Sequence, residues 1–134
     1  MRRAKRIWVT YRTETGELAH RSFFSQKLVA AFMLKNPGAF QSEIFHVLYR
    51  DEVKKAWKIE ECPGEDVAQS WQSGNPGARK VRFVIQPKSG SGNASFETLA
   101  AAKATAKPGD TITPKVDGPS LPFEAVNVLY SLET

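Results

Sequence analysis

Two stretches of this chain echo one another in the same order. Leu28, Ala30, Ala31, Pro37 and Gly38 return as Leu99, Ala101, Ala102, Pro108 and Gly109 at a constant offset of 71. Farther on, the run from Glu43 to Tyr49 (Glu-Ile-Phe-His-Val-Leu-Tyr) is matched by the run from Glu124 to Tyr130 (Glu-Ala-Val-Asn-Val-Leu-Tyr) at an offset of 81. Each copy reads as a helix, a Pro-Gly stop and an apolar strand. One supersecondary unit used twice is the expectation, at residues 1–60 and 79–134, joined by a polar connection at 61–78. Alanine and leucine are common in helices and Pro-Gly is a general helix stop, so coincidence stands beside duplication as an explanation. The collinear order of the blocks keeps duplication in play.

The pattern between the echoes supplies the remaining elements. Ile7, Val9 and Tyr11 alternate with Arg6, Trp8, Thr10 and Arg12, as in a half-buried strand, and Leu18 to Phe24 returns as its hairpin partner. Ser25 is placed to cap a helix carrying the apolar stripe Leu28, Val29, Phe32 and Met33, which ends at Asn36-Pro37-Gly38. Ile44 to Tyr49 is nearly continuous apolar sequence, the pattern of a strand covered on both faces. Val53, Trp57 and Ile59 then alternate with Lys54, Ala56 and Lys58, predicting a strand with a basic outward face. Val81, Phe83 and Ile85 open the second unit against Lys80 and Arg82. Ser95 is placed to cap an Ala-rich helix over 96–106, Thr111 to Thr113 forms a short strand, and Ala125 to Leu132 is read as the last strand. The expected fold is α+β, an antiparallel sheet of about seven strands with two helices.

The length of 134 residues suits a single domain, 1–134, able to bury a substantial core. Hydrophobic residues at 41% and charged residues at 25% exclude a chain that is disordered throughout. One cysteine, Cys62, excludes an internal disulfide, and with only His20 and His46 beside it no zinc spacing exists. No signal peptide fits the start of the chain, and the longest apolar run is too short to cross a bilayer. A cytoplasmic location without membrane association is expected.

No catalytic residues, metal ligands or cofactor motif emerge. Asp51-Glu52 and Glu60-Glu61 read as solvated turn charge. His46 lies inside an apolar strand, as a buried structural imidazole would, and Cys62 sits among acids that oppose a thiolate. Gly-rich Ser89 to Asn93 lacks the Lys-Ser or Lys-Thr ending of a phosphate-binding loop. The chain is therefore expected to be a non-enzymatic binding protein.

Its basic balance supplies the leading reading. The net charge is +5, from 19 Lys and Arg against 14 Asp and Glu. Arg3, Lys5, Arg6, Arg12, Lys54, Lys58, Lys80 and Arg82, gathered round Trp8, would form a positive sheet face with an aromatic platform suited to phosphates and bases. DNA or RNA, or a nucleic-acid-associated protein, would be the partner. Lysines that merely protect exposed strands are the competing explanation. The alternative function is a protein-binding modulator or inhibitor, an adaptor of the phage or mobile-element type. It would dock by a sheet edge or a homodimer patch, with Trp57, Trp71 and Phe123 available to the interface.

Overall fold

A computed structural model describes residues 6–90 and 92–132. Among them are nine strands and four helices, in three separate three-stranded antiparallel sheets. The α+β class stands, but the single seven-stranded sheet with two helices does not. The chain divides into two compact units, Met1–Glu43 and Ile44–Thr134.

The first unit runs β1 (Ile7–Arg12), β2 (Leu18–Phe23), α1 (Gln26–Lys35) and β3 (Phe40–Gln41). β1 lies in the middle, antiparallel to both neighbours, with Val9 opposite both Arg21 and Gln41. Alternation along β1 has the expected consequence. Val9 is fully buried, and Tyr11 meets Phe32 of α1 edge-on at 5.1 Å between ring centroids. Ser25 caps α1 as expected, its hydroxyl accepting from the Leu28 amide at 3.2 Å. This satisfies one of the donors left over at a helix start.

The second unit repeats that arrangement twice and adds a helix. β4 (Ile44–Asp51), β5 (Ala56–Pro63), α2 (Glu65–Gly74) and β6 (Arg79–Lys80) form one set. β7 (Arg82–Gln86), β8 (Ala94–Phe96), α3 (Leu99–Thr105) and β9 (Thr111–Lys115) form the next, and α4 (Phe123–Tyr130) follows. In every set the first strand is central, its hairpin partner lies on one side, and the strand after the helix lies on the other. Val9, Val47 and Ile85, spaced by 38 residues, occupy the same register on their central strands, and all three are buried.

The helix-to-strand joint is also repeated. Ala39, Ala78 and Asp110 each donate a backbone hydrogen bond to the residue three before, Asn36, Asn75 and Lys107, at 2.9–3.0 Å. Gly38, Gly77 and Gly109 between them have φ of 88–96°. Proline followed by a left-handed glycine is the chemistry of a type II turn, so each Pro-Gly both stops a helix and aims the next strand back across the first. The arrangement thus occurs three times, not twice, and the 71-residue offset had matched its first and third occurrences.

The segment 61–78 is not a polar connection: it holds the end of β5 and the whole of α2. That helix starts from Gly64, which offers no side-chain cap, and Glu65 and Asp66 in its first turn complement the helix dipole instead. Its one buried residue is Ala68, so its polar composition hides it. Ala125 to Leu132 is helical rather than extended. Ala125 and Leu129, four apart, are buried while Glu124, Asn127 and Tyr130 are exposed, a helical period. The Val-Leu-Tyr echo therefore joins a strand to a helix, because a short apolar run has no period of its own. β5 begins at Ala56, leaving Val53 in the hairpin turn at 92% exposure. The Ala-rich helix is capped by Thr98, not Ser95, which lies in β8.

β4 is covered on both faces, as its apolar run implied. Phe45 and Val47 pack with Cys62 and Ala68 under α2. Leu48, from the opposite face, joins Val81, Phe83, Ile85, Ala102, Ala125 and Leu129 in the larger core. α4 lies against β5 and β9, and none of the described helices is long and apolar enough to cross a membrane.

Candidate nucleic-acid interface

The nine residues expected to contact nucleic acid fall in both units. Arg3 and Lys5 lie outside the described residues. Arg6 is exposed just before β1, its guanidinium 5.8 Å from the centroid of the Phe24 ring. Trp8 is half-buried on the face of β1 opposite Val9 and Tyr11. On that face Thr10 shares hydrogen bonds with His20 Nδ1 at 2.9 Å and Ser42 Oγ at 2.6 Å. Arg12 is exposed and donates from Nη1 to the Gly16 carbonyl at 2.7 Å, fastening the first hairpin turn.

The residues of the second unit are differently placed. Lys54 sits in the β4–β5 turn, where its amide and that of Val53 donate to Asp51 Oδ1. These bonds, led by that from Lys54, hold the Asp51 carboxyl below its ordinary range, with Lys58 adding to the effect. Lys58 pairs with Asp51 at 3.3 Å, and Arg82 with Asp117 at 3.0 Å. Lys80 pairs with Glu97 at 3.3 Å and Glu65 at 3.7 Å, and its ammonium lies 4.6 Å from the Phe45 ring centroid. Three of these four cations are thus engaged by carboxylates.

The charge itself is divided in the same way. Residues 1–43 carry eight Lys and Arg against three Glu, whereas residues 44–134 carry eleven Lys and Arg against eleven Asp and Glu. The entire excess of +5 therefore belongs to the first unit. Arg21 in that unit lies over Phe23 and Phe32, 5.3 and 5.6 Å from their centroids, contacts that leave its charge uncompensated. Lys27 and Lys35 are exposed on α1. Sequence reasoning passed over these three because the alternation of strands, not the running charge, guided the choice. A count by thirds of the chain would have found them.

Cys62 and His46 are both buried. Cys62 is fully buried, and burial, with Glu60 adding to it, pushes its thiol up to about 11. No cluster of His, Cys, Asp or Glu able to hold a metal occurs among the described residues. The Gly-rich stretch after Pro87 falls between β7 and β8, and the element that follows it is a strand, not a helix.

His46 is 5% exposed, its ring edge-on to Phe83 at 5.4 Å, and its Nδ1 has no hydrogen-bond partner among the described residues. Burial lowers its pKa from the ordinary 6.5, with Glu61 opposing. A histidine whose folded pKa is depressed binds fewer protons folded than unfolded, so its stabilising contribution is lost as pH falls through 6.5. Urea midpoints of the native chain should drop on acidification across that range, and those of His46→Gln should drop less. Equal slopes for the two would contradict this.

No protein-family model matches this chain, and neither a curated protein nor a solved structure shows significant similarity to it.

Proposed function

We propose that the protein is a non-enzymatic nucleic-acid-binding protein that meets the phosphate backbone through the unit formed by residues 1–43. The observation carrying this reading is the confinement of the whole net charge to that unit. A cationic segment attached to an electrically balanced body raises the local concentration of a polyanion at one end of the chain. Arginines lying over aromatic rings keep their charge and their outward donors, so Arg6 and Arg21 remain able to donate to phosphate oxygens. Lys58, Lys80 and Arg82 are left out of this reading, since each would have to leave a carboxylate first.

The test is a salt titration of oligonucleotide binding by the full chain. Each neutralised phosphate releases condensed counterions, so about four contacts should weaken binding by roughly a hundredfold between about 50 and 200 mM salt. A flat response, or no binding at low salt, would contradict the proposal.

A protein partner is the second reading, favoured by one observation. Phe24, Leu28 and Leu34 of the same unit are exposed, Leu34 at 84%. Stoichiometric capture of one acidic protein after nuclease treatment, with no oligonucleotide binding, would establish it instead.

A further inference from the structure

The first unit holds a cleft of about 560 Å³ at the end of its sheet. It is lined by Tyr11 and Arg12 of β1, Leu18 of β2, Lys35 of α1, Phe40 of β3 and the Asn36–Ala39 turn, and by no acid among the described residues. The volume falls in the range of small-molecule sites and can hold a nucleotide. The fold dictates this gathering. The Pro-Gly turn ends α1 beside the strand end of β1 and delivers Phe40 opposite Thr10, so residues of four elements meet there, two aromatic and two cationic among them.

We infer that this cleft takes one unpaired nucleotide, so that the protein binds single strands in preference to duplexes; the inference rests on the function proposed above. Phe40 is 53% exposed and Leu18 47%, and an exposed aromatic side chain beside apolar surface is what an unstacked base covers. Arg12, fixed by its bond to the Gly16 carbonyl, retains further donors for a phosphate. Lys35 stands in the last turn of α1, where it offsets the negative end of the helix dipole that would otherwise repel an anion. A base inside a duplex is already stacked on both faces and cannot use the Phe40 ring. The phosphates of either form can use the cations.

The experiment compares the full chain with Phe40→Ala, Phe40→Trp and Lys35→Ala. The probes are a labelled oligothymidylate, its duplex with oligoadenylate, and thymidine monophosphate as competitor. The native chain should prefer the single strand, Phe40→Ala should weaken single-strand binding about tenfold while leaving duplex binding unchanged, and Phe40→Trp should restore it. Lys35→Ala should weaken both forms and reduce the salt slope by about one. Equal affinity for both forms, with Phe40→Ala silent, overturns the cleft and leaves the proposed function standing. Absence of binding to either form at low salt overturns both. Competition by thymidine monophosphate at the oligonucleotide's own nucleotide concentration overturns the preference for strands in favour of a free nucleotide.

Discussion

Phe83→Ala should lower the stability of residues 44–134 by about 3–5 kcal/mol, the usual cost of emptying an aromatic site that cannot collapse. Phe83 is fully buried on the central strand of the third sheet, among Leu48, Ile85, Ala102, Ala125 and Leu129. Its ring also forms the edge-on contact with His46, so its removal uncovers an imidazole whose Nδ1 has no partner among the described residues. Trp57 packs against the same cluster, and its fluorescence during a urea titration would report the loss. Val53→Ala, at a side chain 92% exposed, should leave the midpoint in place. A shift for Phe83→Ala no larger than that of Val53→Ala would mean that this cluster does not hold the unit together.

Combined replacement of Arg6, Lys27 and Lys35 by alanine should weaken oligonucleotide binding on the order of a hundredfold at low salt and flatten the salt slope by about three. The matched replacement of Lys58, Lys80 and Arg82 removes the same formal charge from the second unit. There the carboxylates of Asp51, Glu97 and Asp117 already compensate it, so the affinity should change far less. The contrast separates charge that is available from charge that is only counted. An equal loss in both triple variants would show that net charge alone governs binding and would remove the basis for placing it on residues 1–43.

The first hairpin, the Ser25 cap and the doubly covered β4 were legible because each rests on a local signal: strict alternation, a hydroxyl before an apolar stripe, and unbroken hydrophobicity. The middle repeat was hidden although Asn36-Pro-Gly-Ala39 recurs unchanged as Asn75-Pro-Gly-Ala78. Its helix has a glycine at the cap and buries only Ala68, so neither capping nor an apolar stripe advertises it. α4 was misread because Val128, Leu129 and Tyr130 suit a strand by composition, and only the burial of Ala125 with Leu129 reveals the helical face. The candidate site was legible as to type of residue but not as to arrangement. Which cations meet carboxylates depends on cross-strand and inter-element neighbours such as Arg82 and Asp117, 35 positions apart.

The first unit places only Val9 and Val29 among the fourteen buried apolar side chains of the described residues. So thin an interior means that its backbone should open locally at a lower free energy than the strands round Phe83, and its amides should exchange with deuterium sooner. A ligand seated there would then announce itself twice: by slowing that exchange between residues 7 and 41, and by raising the temperature at which this part of the chain melts as ligand concentration increases.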